Sequence, residues 1–434
     1  MSKSESSSLT KTDSITLTAS AHRSSFFRQS GWLMIANIGG GALMWAVHFL
    51  NKRLHAGQYG DFGVFLAVLM LLPNIPLQMV LTQQTAKALA HDTRHELSGV
   101  IRMFLLGAAV IWLIGSTIVL CFQRDILAHW KMTDPTGLWI TLLIVLFALW
   151  LPMFWGMLQG QQNFLWLGWS MMANGIGRIS VAAFAVIILG AGAAGMMAGV
   201  LLGYVTAVGM AAWHTRSLWT TTSRPFDWRG LLSQVIPLLV AFIGFQILFT
   251  ADTIVVKSYF SGADEDFYVS AGTLSRALLW LVLPLASVMF PRLVHSAAKS
   301  EKSNLMGMVL LGTAILSIVG ALGLALLGPW VVRFVYTPAF VKVAASLLPW
   351  YAAAMVPLAL ANVLLNQLLA RPVGQTLLAA VVFIAAIAYL FALTRFHNSL
   401  ITVLQVMGAA NLVLLAICAL FTWRSKALQP AAQV

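Results

Sequence analysis

Residues 33–69 read LMIANIGGGALMWAVHFLNKRLHAGQYGDFGVFLAVL, and residues 238–274 read LLVAFIGFQILFTADTIVVKSYFSGADEDFYVSAGTL. Laid over one another without gaps, at an offset of 205, they agree at twelve of 37 positions. Composition alone would give two apolar segments about four agreements, so the match is an internal repeat. Part of it is polar: Lys52-x4-Gly57-x3-Asp61-Phe62 stands over Lys257-x4-Gly262-x3-Asp266-Phe267. Apolar bias cannot create that part. At the same offset Lys87 meets Arg292 and Pro152 meets Pro357. The chain is expected to be a duplication of one unit.

Composition sets what the unit is made of. Of 434 residues, 60% are hydrophobic and 9% are charged. A soluble domain is about 25% charged, so a cytosolic enzyme, a secreted domain and a disordered chain are excluded. A helix crossing a ~30 Å hydrocarbon core needs ~20 mostly apolar residues. Twelve segments qualify, at 31–51, 62–83, 100–122, 138–158, 164–189, 193–214, 231–256, 268–290, 305–327, 345–369, 373–394 and 400–423. The expected fold is an all-α polytopic membrane protein with twelve transmembrane helices. The repeat groups them into two six-helix lobes. Six is even, so both lobes enter the membrane the same way round, related by a pseudo-two-fold along the membrane normal.

The expected organisation is a cytoplasmic tail 1–30, an N-lobe 31–214, a cytoplasmic linker 215–230 carrying Arg224-Pro225, a C-lobe 231–423 and a cytoplasmic tail 424–434. Residues 1–30 lack an apolar signal-peptide core, so the first helix is expected to direct insertion. Lys and Arg number 26 against 13 Asp and Glu. In a soluble protein that excess would point to nucleic acid. Here, with both termini inside, cytoplasmic segments and their helix ends hold 16 of the basic residues and the outer side eight. The excess follows the positive-inside rule, and no nucleic-acid partner is expected. Cys121 and Cys418 lie in apolar runs and are expected to pack as small apolar residues.

Two like-oriented bundles enclose a cavity, and rocking one against the other alternates its access, which is the architecture of a transporter. Ionisable residues inside spans are costly and mark such cavities. Arg178 lies mid-way along the fifth span, Arg276 in the eighth, Asp252 in the outer third of the seventh and His48 near the end of the first. One reading makes Arg178 and Arg276 a cationic lining for an anionic substrate, because the guanidinium fork fits phosphate oxygens. The other pairs Arg276 with Asp252 across two antiparallel neighbours. Arg178 has no acidic residue on its own span or the next, which favours a cavity role. Lys52 and Lys257 occupy matching helix ends, where a lysine ordinarily snorkels to the interface. His48 is expected to be a packed, hydrogen-bonded histidine. Pro73, Pro76, Pro152, Pro284 and Pro357 fall within spans and would bend them. No Walker A, HExxH or GxSxG pattern and no His/Cys cluster occurs, so neither catalysis, nor a cofactor, nor a metal is expected.

The remaining signal is in short stretches: Leu54-His-Ala-Gly57-Gln-Tyr59-Gly60-Asp-Phe62-Gly, Leu158-Gln159-Gly160-Gln-Gln162-Asn-Phe164 followed by Arg178, Ala251-Asp252-x4-Lys257-Ser-Tyr-Phe, Leu274-Ser-Arg276 and Met289-Phe290-Pro291-Arg292. These resemble polysaccharide flippases of the multidrug/oligosaccharidyl-lipid/polysaccharide exporter superfamily. The resemblance spans most of the chain. It implies translocation of an undecaprenyl-diphosphate-linked oligosaccharide, or a related exopolysaccharide or O-antigen intermediate, across a bacterial inner membrane. It implies cationic cavity positions matching Arg178 and Arg276, contact with membrane lipids, and partnership with a glycan polymerase or export machinery. The rival readings are a multidrug/cation antiporter of the same superfamily, a polysaccharide polymerase or ligase, and a structural subunit of an export complex. The antiporter branch uses intramembrane acids, and here Asp252 alone lies well inside a span. A polymerase or ligase carries a long outer loop, and no loop between spans exceeds about 17 residues. The lipid II flippase branch usually has fourteen helices.

Overall fold

The computed structural model describes residues 31–298, 305–369 and 374–427. The expected tail 1–30, Lys299, Lys302 and the final seven residues lie outside these. Helices account for nearly all of the described chain. The first, α1, spans Gly31–Arg53 and tightens to a 3₁₀ turn over Val47–Arg53. The others of the first half are α2 (Gln58–Met70), α3 (Asn74–Ala90), α4 (Arg94–Cys121), α5 (Gln123–His129), α6 (Thr136–Gly160), α7 (Phe164–Ala183) and α8 (Gly192–Trp219). The second half holds α9 (Trp228–Tyr259), α10 (Ala263–Ala298), α11 (Leu305–Val335), α12 (Pro338–Leu369), α13 (Gln375–Arg395) and α14 (Leu400–Ala427). Among the described residues eleven segments are long and apolar enough to cross a membrane. The expected eighth span falls on α10, a helix of 36 residues. The chain is an all-α polytopic membrane protein.

Three boundaries differ from the sequence reading. The expected span 62–83 is two helices, α2 and α3, broken at Leu71–Pro73. Proline has no N–H to give and disfavours helix at the residue before it, which hydropathy does not register. The helix also begins earlier, at Gln58, so Asp61 sits in its first turn rather than in a loop. The linker is shorter than 215–230, because α8 runs on to Trp219 and α9 starts at Trp228. The break at Gly190-Ala191-Gly192 is real: α7 ends in a π-helical turn, Phe184–Ile188, and α8 begins at Gly192.

The halves pair their helices in the same order. In the first, α3 packs on α6, α6 on α8, and α7 on α8. In the second, α10 packs on α12, α12 on α14, and α13 on α14. The halves meet through α2 and α3 on one side and α9 and α10 on the other. Lipid-facing leucines, isoleucines and tryptophans such as Ile111, Leu326 and Trp330 remain exposed, as a bilayer requires.

Candidate functional site

Two charged constellations lie between or within the bundles. The first is a seam joining the halves at one end. Gly57 and Gly262, the repeat-matched glycines, both take left-handed backbone, at φ 87° and 66°, and turn the chain into α2 and α10. The first turn of α2 has backbone N–H groups without a partner in its own helix. Asp266, from the other half, supplies it: Gly57 N donates to Oδ2 and Gly60 N to Oδ1, each at 2.7 Å. Lys257 Nζ lies 2.7 Å from Asp61 Oδ1 and also contacts Glu265 Oε2. Tyr59 Oη meets Tyr336 Oη at 2.9 Å and shares a 2.7 Å hydrogen bond with His48 Nδ1. Asn51 Nδ2 donates to Val335 O and Lys131 Nζ to Phe260 O.

Small residues permit this closeness. A Cβ placed on Gly63 would lie 2.4 Å from Val269 Cγ1, and one on Gly60 2.8 Å from Glu265 Cβ. The two lysines of the repeat are therefore not equivalent. Lys52 is exposed and donates to Phe334 O, as a snorkelling lysine can. Lys257 is 4% exposed and is a buried partner of two carboxylates, not an interfacial lysine. Glu265, Tyr59 and Tyr336 were not read as functional from the sequence. The polar half of the repeat was the available signal for Asp61 and Asp266.

The second constellation lies inside the second bundle. Asp252 is wholly buried, and Arg276 nearly so. Arg276 Nη2 donates to both Asp252 oxygens, at 2.8 and 2.9 Å, and to Thr253 Oγ1 at 2.7 Å. Its Nε donates to Phe249 O at 3.1 Å. Tyr268 donates to Asp252 Oδ2 at 2.8 Å, and Tyr351 donates to the same oxygen. Of the two readings of Arg276, the structure displays the ion pair. The guanidinium expected to line the inter-bundle space has its charge already matched.

Arg178 is different. It lies about 21 Å beyond the start of α7 at 1.5 Å per residue. Its helix lies backbone to backbone on α8, where a Cβ on Gly203 would sit 2.5 Å from Asn174 O and 3.2 Å from Arg178 Cβ. Among the described residues no carboxylate is within ion-pair distance of it. Its Nε is buried without a hydrogen-bond partner. Among the described residues, His48 and Tyr204 are titratable groups within reach of its charge. At the far end of α9, about 40 Å from Lys257 by helix rise, a polar cavity of ≈ 290 Å³ opens between α3, α4 and the α9 start. Lys87, Glu96, Asp227 and Gln234 line it. Among the described residues no group of three His, Cys, Asp or Glu side chains is placed to hold a metal ion.

A search of curated proteins gives no match. The profile of the polysaccharide biosynthesis protein family matches residues 26–297, well over half of the chain. The chain belongs to that family. Solved structures share its fold across nearly the whole length. An inward-facing multidrug resistance MATE family transporter of the MOP superfamily aligns at TM-score 0.71, with 12% identity over 94% of this chain and 99% of that one. The lipid II flippase MurJ, in an inward closed conformation, aligns at TM-score 0.67, with 15% identity over 92% and 87%. An outward-facing MATE family transporter aligns at TM-score 0.54, with 15% identity over 94% and 96%. This family member is thus a membrane protein with the fold of MOP-superfamily transporters.

Proposed function

We propose that the protein is an alternating-access flippase carrying a lipid-diphosphate-linked oligosaccharide or polysaccharide intermediate across the bacterial inner membrane. The observation that carries the reading is Arg178. A guanidinium left unpaired in a membrane span is costly, and a diphosphate passing through the cavity would repay that cost with charge-assisted hydrogen bonds. Membership of a polysaccharide biosynthesis family supports a glycan as part of the cargo. The antiporter reading is weakened by Asp252, whose carboxylate is fully engaged by Arg276 and two tyrosines. The loop charges support cytoplasmic termini, which puts the seam on the periplasmic face. On this reading the conformer is closed toward the periplasm, in keeping with higher TM-scores to an inward-facing and an inward closed relative than to an outward-facing one. On this reading the cytoplasmic-side cavity lies on the entry path.

Deleting the gene should cause lipid-linked glycan to accumulate in the inner leaflet. Arg178→Ala should reproduce that accumulation at a normal protein level in the membrane. Arg178→Lys should retain more export than Arg178→Ala, though less than the parent, because an ammonium keeps the charge and loses the fork. Extraction and quantification of the lipid-linked sugars checks this. Full export by Arg178→Ala would contradict the assignment.

A further inference from the structure

Between the bundles, one ammonium faces three carboxylates. Lys257 from α9 meets Asp61 from α2 and Glu265 from α10, and Asp266, also from α10, lies in the same cluster. The formal sum of these four groups is −2. Part of the imbalance is met: the N-terminus of α2, worth about half a positive charge, sits on Asp266 through two backbone N–H groups. Asp61 is met by Lys257 at 2.7 Å. Glu265 shares that lysine, is 2% exposed, and lies against Gly60 of the other half. The α11–α12 corner adds Tyr336, which is spent on Tyr59, and Phe340, which packs on Phe267; neither brings a charge. The first turn of α10, where Glu265 and Asp266 themselves stand, adds about another half charge. Lys52 and Lys131, both exposed, are spent on the Phe334 and Phe260 carbonyls. One carboxylate is therefore surplus to the positive charge available. Burying it ionised is costly, and a buried acid avoids that cost by binding a proton.

We propose that closing this seam takes up a proton onto the Glu265–Asp266–Asp61 cluster, making the lobe equilibrium sensitive to the pH of the compartment that the seam faces. The proton comes from water on that side as the lobes meet and returns to it as they part, with no bond made or broken in the cargo. The inference rests on the alternating-access reading and adds a regulation to it.

The direction follows from the two states. Glu265 and Asp266 precede the apolar span of their helix. In the closed seam, burial first, with Asp61 and the neighbouring acid of the pair adding to it, pushes the Glu265 carboxyl up to about 7, against the pull of Lys257. Burial likewise pushes Asp266 up to about 6, with the Gly57 and Gly60 amides holding it down. A solvated glutamate, as in parted lobes, releases its proton near pH ~4.3. Between those values the closed form carries the extra proton, so acid favours closure and alkali favours opening.

The test places spin labels on exposed positions either side of the seam, Ala56→Cys and Ser261→Cys, in a Cys121→Ser/Cys418→Ala background. The full-length protein in lipid nanodiscs is titrated from about pH 9 to about pH 5, and the inter-label distance distribution is read by pulsed electron resonance. The closed-to-open ratio is expected to rise on the order of tenfold or more as the pH falls. Glu265→Gln should stay closed at alkaline pH and lose most of that response. Should Glu265→Gln fail to reach the membrane, Asp61→Asn serves, since removing one neighbouring negative charge should move the transition to lower pH. A full pH response in Glu265→Gln, or an unshifted one in Asp61→Asn, overturns the proposal. So does a distance that stays short at every pH yet lengthens in Gly63→Leu, which leaves alternating access standing. A distance that stays short even in Gly63→Leu overturns both.

Discussion

Arg276→Ala should sharply reduce the amount of folded protein, at a cost of about 3–5 kcal/mol, because it removes the cation paired with Asp252 in a bundle interior and leaves only two tyrosine hydroxyls on that carboxylate. The loss exceeds that of one hydrogen bond. The guanidinium binds Asp252, Thr253 and the Phe249 carbonyl, and its carbon lies within 5.6 Å of the Phe249 and Tyr351 rings. The double change Asp252→Asn with Arg276→Gln removes both charges and keeps hydrogen-bonding groups of similar size. It should recover most of the folded protein, as judged by detergent-solubilised yield and thermal unfolding. Its export activity then separates two roles. Recovered export would make Arg276 a structural partner of Asp252. A folded but inactive double variant would restore the cationic-cavity role that the resemblance implied for Arg276.

Lys257→Met should shift the lobes toward the state open at the seam, by on the order of a hundredfold. The change removes the ammonium that offsets Asp61 and Glu265 in a buried space, so closing the seam must either bury both acids ionised or take up a further proton, and each is costly. Gly63→Leu should produce the same shift by another route. Its side chain would occupy the volume now held by Val269 of the other half, at a position where even a Cβ lies 2.4 Å away. Accessibility of a cysteine at Ser270 or Thr273 to a membrane-impermeant thiol reagent, in cells, checks both variants. Agreement between an electrostatic and a steric lesion would identify the seam as a gate. If neither raises accessibility, the seam is a static joint.

The sequence made the spans legible because a bilayer demands ~20 apolar residues in a row, and little else in a protein does. It could not show that the span 62–83 is two helices, since hydropathy counts Pro73 as one more residue and not as a missing donor. Nor could it show how far α8 and α9 run past the hydrocarbon region, which shortened the linker. Arg178 was legible because a charge mid-span has to be accounted for. Tyr268 and Tyr351 were not, because a tyrosine in a membrane helix is unremarkable until a carboxylate is found beneath its hydroxyl. The seam was half legible. The repeat preserved Lys, Gly and Asp at one spacing in both copies, and the glycines do the same job twice. The lysines and aspartates do not. Asp266 caps a helix of the other half and Asp61 holds a lysine, so the matched residues serve different ends in the two copies.

The measurement that bears most directly on the account is translocation by the purified protein. Proteoliposomes would carry a polyprenyl-diphosphate-linked oligosaccharide in both leaflets, with an impermeant glycosidase outside to report the fraction reaching the outer leaflet. The account predicts that the protein moves the lipid-linked glycan beyond the half that empty liposomes expose, and that Arg178→Ala, equally well incorporated, does not. A protein that leaves the inner half protected, or an Arg178→Ala variant that moves it as fast as the parent, would contradict it.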